Sequence, residues 1–190
     1  MKREITCDIR KPEVKTLTFT FTTAYDQSAL TAMARVLRKT VRRNHSRRSH
    51  ILGWIVAILG LLLSLPLGNE NFTVSFKTVF TWFAVAVIIL VLINEDAING
   101  YVARKRNLPK MTKSVSEFSK DSYRSSTEVG TTEFYYENII ALAETAKYFV
   151  FVFSKSHAQV YDKGSLTGGS LDAFREFIQD AAGCRIQTVK

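Results

Sequence analysis

Residues that carry chemistry are scarce in this chain. Its 190 residues include two cysteines, three histidines and three prolines. Cys7 and Cys184 lie far apart, and neither CxxC nor HExxH occurs, which excludes the usual zinc-site spacings. A phosphate-binding loop of the form GxxxxGK[ST] is also missing. The one glycine-rich stretch, GSLTGGS at 164–170, has no lysine after Gly168 or Gly169 and reads as a flexible loop. A nucleophilic cysteine needs a base beside it, and neither cysteine has one nearby in sequence. No catalytic residue, metal ligand or cofactor is therefore expected. His45, His50 and His157 read as solvated surface residues.

Charge of one sign is missing from two short stretches. Residues 35–48 contain no acidic residue while holding Arg35, Arg38, Lys39, Arg42, Arg43, Arg47 and Arg48. Residues 68–73 contain no basic residue. Between these stretches lies an apolar run at 51–67 (ILGWIVAILGLLLSLPL), and a second follows at 74–93 (VSFKTVFTWFAVAVIILVLI). About 20 apolar residues span a bilayer core, within a range of roughly 17–25, so the sequence predicts a transmembrane hairpin over 51–98. Fifty largely polar residues precede the first run, too many for a signal-peptide n-region. Lys77 falls near the outer end of the second run, where its side chain can reach the interface.

Segment charges orient the hairpin. Residues 1–50 carry 12 basic and 4 acidic side chains, net +8, whereas residues 111–190 carry 9 and 10, net −1. Arg104, Lys105, Arg106 and Lys110 flank the second run on its far side. Positive flanks stay cytoplasmic, so both termini are expected inside a cell membrane crossed twice. The basic residues sit where anionic headgroups lie, and they predict contact with a bilayer rather than with nucleic acid. Arg42, Arg43, Arg47 and Arg48 are the candidate contacts for a headgroup or a protein partner. Gly53, Ala57 and Gly60 form a small-residue face near GxxxG spacing, a candidate helix–helix contact and a route to homo-oligomers.

Outside the hairpin, the periodicities predict an α+β fold. Residues 15–23 (KTLTFTFTT) alternate as a strand, within an N-terminal region 1–25 that has a weaker strand at 4–10 and can join the C-terminal sheet. Asp26 suits an N-cap, and Leu30, Met33, Ala34, Leu37 and Val41 make one helical stripe within a basic segment 26–50. That helix has three possible places: in the membrane interface, on the soluble domain, or as an inward extension of the first span. Asn94, Glu95 and Asp96 are expected to pair with arginines such as Arg104 or Arg106. A linker at 99–111 holds Pro109, which breaks the second helix. Residues 112–190 then predict strands at 115–119, 122–127, 131–136, 139–144, 148–154 and 158–161. Ser170 should cap a final helix bearing Leu171, Phe174, Phe177 and Ile178, closed by Gly183. This region is expected to fold alone as a compact β-rich domain closed by one helix.

The segments Phe134-Tyr135-Tyr136-Glu137-Asn138-Ile139-Ile140 and Thr145-Ala146-Lys147-Tyr148-Phe149-Val150-Phe151, following two apolar helices and preceding a last helix, resemble the bacterial YcxB-like family. Tyr136 departs from the tryptophan that members often carry there. The resemblance implies a two-helix membrane anchor with a domain similar to pleckstrin-homology-like (PH-like) domains, and it carries over no catalytic residue. The expected function is a non-enzymatic membrane-anchored adaptor that binds a protein partner or lipid headgroup, with immunity to membrane-active peptides as one form. An accessory subunit of a transporter or channel is the alternative.

Overall fold

The computed structural model describes residues 18–65, 75–106 and 112–190. The expected strand at 4–10, the first part of that at 15–23, Cys7, the turn at 68–73 and the break around Pro109 lie outside them. The described chain is α+β, with two four-stranded sheets ordered β1-β2-β3-β4 and β7-β6-β5-β8. The first sheet comprises β1 (Phe19–Ala24), β2 (Lys113–Phe118), β3 (Ser122–Thr127) and β4 (Thr131–Tyr135). The second comprises β5 (Ala141–Glu144), β6 (Tyr148–Val152), β7 (Ala158–Asp162) and β8 (Ile186–Thr188). Every pairing is antiparallel except β5 with β8.

Strand β1 pairs with β2 from Phe19↔Phe118 to Ala24↔Lys113, and the Tyr25 N–H donates to the Thr112 carbonyl at 2.9 Å. The chain thus leaves the sheet at Ala24 and re-enters it at the neighbouring position. All the intervening helices are an excursion from one β-hairpin. The β unit is therefore not confined to 112–190, because period-two alternation puts Phe19 and Phe21 into its core.

That core is aromatic. Phe19, Phe21, Phe118, Tyr123, Phe149, Phe151, Tyr161 and Phe174 are all essentially inaccessible and form one cluster. Edge-to-face pairs such as Phe21–Phe174 at 4.7 Å and Phe118–Phe174 at 5.1 Å are favoured by the ring quadrupole. Helix α5 (Leu171–Ala182) closes the cluster through Phe174 and Ile178. Its boundaries follow local chemistry: the Ser170 side chain accepts from the Ala173 N–H, and Gly183 ends the helix at φ 62°. Two buried tyrosine hydroxyls, of Tyr123 and Tyr161, donate to the same Gln159 oxygen at 2.9 and 2.5 Å. Strand β6 is buried on both faces. Phe149 and Phe151 meet the aromatic core, while Tyr148, Val150 and Val152 meet a second layer that includes Ala29, Val36 and Leu37.

Those last residues belong to α1 (Gln27–Lys39), whose Asp26 cap accepts from the Ala29 N–H. Of the three placements open in the sequence, α1 thus takes the one packed on the β domain. It stops at Thr40, whose hydroxyl and N–H both bond the Val36 carbonyl, so the expected single helix over 26–50 is two. The second, α2 (Arg43–Ser64), continues from the basic residues straight into the apolar run. After α3 (Phe76–Ile93), capped by Ser75, comes α4 (Glu95–Arg106), separated from it only by Asn94. Helix α4 packs along α1, so residues 99–106 are helix rather than linker.

The 164–170 loop is anchored instead of flexible. Thr20 and Thr167 exchange two backbone hydrogen bonds at 3.0 and 2.9 Å. Gly168 sits at φ 90°, where a Cβ would lie 2.0 Å from the Thr18 carbonyl oxygen, so only glycine fits.

Glu144 ties α5 to the second sheet. It accepts from Arg175 at 3.0 and 2.7 Å and pairs with Lys163 at 2.5 Å. Arg175 beside it, then Lys163, hold its carboxyl below the usual glutamate range. A lowered folded-state pKa contributes stability that is complete above the unfolded value and lost as pH falls through the folded one. The thermal stability of the wild type should therefore fall on acidification below pH about 4.3, and Glu144→Gln should flatten part of that slope. An identical acid slope in the variant would show that Glu144 does not carry it.

Candidate functional site

Helices α2 and α3 present apolar side chains outward along their length. Leu63 is 80% exposed, Phe76 85% and Ile93 69%, whereas Ala57 and Val85 are the buried apolar residues on these helices. Both helices are long and apolar enough to cross a membrane. Their mutual contact uses the small residues. A Cβ on Gly53 would lie 2.8 Å from Leu92, one on Gly60 would lie 2.9 Å from Val85, and Ala57 is fully buried between them. Gly53, Ala57 and Gly60 thus make a helix–helix contact within one chain, so that face is not free to join copies. Across the same seam the Trp82 indole N–H donates to the Ser64 hydroxyl at 2.9 Å.

Where the apolar stretch of α2 ends at His50, a polar junction binds α1, α2 and α4. Arg38 makes two bonds of 2.6 Å to Asp96, and Arg35 approaches Asp96 at 3.4 Å. Glu95 accepts from Ser46 at 3.4 Å and lies 2.5 Å from the His50 ring. The hydrogen bond to Asp96, with the charges of Asp96 and the neighbouring Glu95, raises the Arg38 guanidinium pKa above its ordinary value. The acidic pair does not meet Arg104 or Arg106. Helix α4 continues past Glu95, and eight residues of helix carry Arg104 about 12 Å along the axis. His50 is half-buried in this junction instead of solvated, while His45 and His157 are exposed.

The four candidate arginines do not form one patch. Arg43 and Arg47 line a groove of about 640 Å³ with Lys39, His50 and residues 187–190. Arg42 and Arg48 line another, of about 630 Å³, with His45 and Lys155. Arg42 is committed to the β6–β7 hairpin, donating to the Lys155 carbonyl at 2.5 Å. The wall that 187–190 supply was missed in the sequence, since β8 is only three residues long and pairs with β5 from a distance. Lys39 donates to the Lys190 carbonyl at 2.6 Å and closes that wall.

Among the described residues no group of three or more His, Cys, Asp or Glu side chains is placed to hold a metal ion. Cys184 is a free, half-buried thiol whose pKa burial raises, the direction that makes it less nucleophilic.

No curated protein and no solved structure matches the chain. Residues 118–178, from the end of β2 through β7 and most of α5, match the family model described as YcxB-like protein, the family that the sequence resembles.

Proposed function

We propose that the protein is a non-enzymatic, membrane-anchored adaptor. In this reading α2 and α3 form a transmembrane hairpin whose two inner ends run directly into a cytoplasmic binding domain. The observation that carries it is the outward-facing apolar surface of α2 and α3. In water that surface costs about 25 cal/mol for each Å²; a bilayer covers it. The arrangement of two sheets with one closing helix supports a PH-like domain, here split by the helical excursion between β1 and β2. Such a domain would be held at the bilayer by α1 and α4, with its basic junction at headgroup level. A lipid headgroup or a membrane-bound protein is the ligand class this location suits. The accessory-subunit reading loses its sequence argument, because Gly53, Ala57 and Gly60 are occupied within the chain.

Topology tests the proposal. Reporters fused within the turn at Asn69 and after Lys190 should show the turn outside the cell and the C-terminal domain inside. A C-terminal reporter found outside would overturn the adaptor reading together with its cytoplasmic domain.

A further inference from the structure

We infer that the groove between α2 and β8 binds the headgroup of an anionic glycerophospholipid, drawn from the bilayer that the proposed anchor occupies. This inference rests on that membrane reading and names the ligand for one of its two basic grooves. The first argument is position. Arg43, Arg47 and His50 recur at i, i+4 and i+7, so they share one face of α2. At 1.5 Å per residue, Arg47 lies about 6 Å and Arg43 about 12 Å below Ile51, where the apolar stretch begins. The headgroup layer on one side of a bilayer is roughly 5–8 Å deep. Arg47 therefore falls within it, and Arg43 just beneath, where a headgroup extending past its phosphate would reach.

The second argument is charge. The acidic side chains of the junction are already engaged: Asp96 by Arg38 and Arg35, Glu95 by His50. The groove lining itself contains no Asp or Glu. Arg43 and Arg47 have no ion-pair partner among the described residues and are exposed. A guanidinium matches a phosphate through two parallel hydrogen bonds. The third argument is the opposite wall. Gln187 and Thr188 of β8 line the groove with neutral polar groups, suited to hydroxyls beyond the phosphate. Phosphatidylglycerol has that chemistry: one negative phosphate followed by a diol. The Arg42–Arg48 groove lies on another face of α2, against Lys155 and not β8, which makes it the internal control.

The test titrates the full chain in zwitterionic micelles with short-chain phosphatidylglycerol, read by calorimetry. Saturable one-site binding is expected. Arg43→Gln with Arg47→Gln should weaken it about thirtyfold, the equivalent of roughly 1 kcal/mol for each cation. Gln187→Glu, which places a negative charge on the opposite wall, should weaken it about fivefold. Because Gln187 is remote from the arginines in sequence, this variant decides the matter if the double variant fails to fold. Arg42→Gln with Arg48→Gln should leave affinity unchanged within about twofold. Equal loss in both arginine pairs would mean a diffuse basic field and overturn the site. Glycerol 3-phosphate binding as tightly as the lipid would make the ligand a soluble phosphate. Displacement of the lipid by an acidic peptide at lower concentration would make it a protein. Either result overturns the lipid assignment. A chain that resists alkaline extraction from membranes yet binds no phosphatidylglycerol defeats this inference alone, whereas a chain released by alkali defeats the membrane anchor itself.

Discussion

Residues 112–190 expressed alone should show no cooperative thermal transition, although they contain all but one of the described strands. The missing strand supplies Phe19 and Phe21, which lie at the centre of the aromatic core against Phe118, Phe149, Tyr161 and Phe174. Truncating one buried phenylalanine to alanine costs about 3–5 kcal/mol. Losing two, with the β1–β2 ladder, approaches the whole stability of a typical domain at about 5–15 kcal/mol. The fragment also loses α1, which exposes Val150, Val152 and Val160 on the outer face of the second sheet. A chain that keeps residues 18–40 and 94–190, joined by a flexible linker in place of the apolar hairpin, restores both layers and should melt cooperatively. In the full chain, Phe21→Ala should lower stability by about 4 kcal/mol. A cooperative melt of 112–190 alone would show that β1 is dispensable. Phe151→Asp should unfold the domain for a related reason, an unpaired charge in a dry core.

Gly100→Ala should destabilise the protein even though alanine is the better helix former. In an exposed helix the exchange gains about 1 kcal/mol. Here a Cβ would lie 2.8 and 2.9 Å from the backbone N and Cα of Thr31, on the helix that α4 packs along. Backbone cannot rotate away as the end of a side chain can, so α1 and α4 must separate along their contact. Overpacking of this kind typically costs about 1–3 kcal/mol. Separation would also lengthen the Arg38–Asp96 bonds of 2.6 Å. Gly100→Leu should have a larger effect of the same sign. Calorimetric melting of the detergent-solubilised chain checks both, and a raised melting temperature for Gly100→Ala would contradict the close packing. Gly60 makes a useful contrast, since only a valine methyl group faces it and Gly60→Ala should be milder.

Local signals in the sequence corresponded closely to structure. Short strand-like runs between turn signals marked β2 to β7, and α5 could be placed to the residue because Ser170 and Gly183 act through their own backbone neighbours. The two apolar helices were legible from composition, since their outward faces need only be uniformly apolar. What was not legible depends on partners distant in the chain. Strand β8 has three residues and no alternation long enough to read, and its register comes from β5. At Thr40 the helix breaks, with the threonine hydroxyl bonding the Val36 carbonyl and the Arg42 N–H reaching back to Leu37, an outcome that periodicity alone does not register. Glu95 and Asp96 were paired with arginines near in sequence, but helix geometry carries those away and brings Arg38 and His50 from 45 to 58 residues earlier. Arg42, Arg43, Arg47 and Arg48 looked like one patch because they are close in sequence. At 100° per residue they cannot all share one face of a helix, and the structure divides them between two grooves.

The proposed function requires α2 and α3 to lie inside a bilayer, and the chain holds its own reporters. Both of its tryptophans, Trp54 and Trp82, are on these helices, so fluorescence excited selectively in tryptophan reads these two helices and not the β domain. Trp54 lies four residues beyond His50, about 6 Å along α2, and Trp82 lies within α3 beside Ser64. The full chain, and the single-tryptophan variants Trp54→Phe and Trp82→Phe, can be reconstituted in vesicles of lipids brominated at different depths of the acyl chain. Strong quenching of both tryptophans by acyl-chain bromine, with no quenching by iodide added to the water, is the result expected of a transmembrane hairpin. Quenching of both by iodide, with acyl-chain bromine ineffective at every depth, would place the helices in water or against protein and contradict the account.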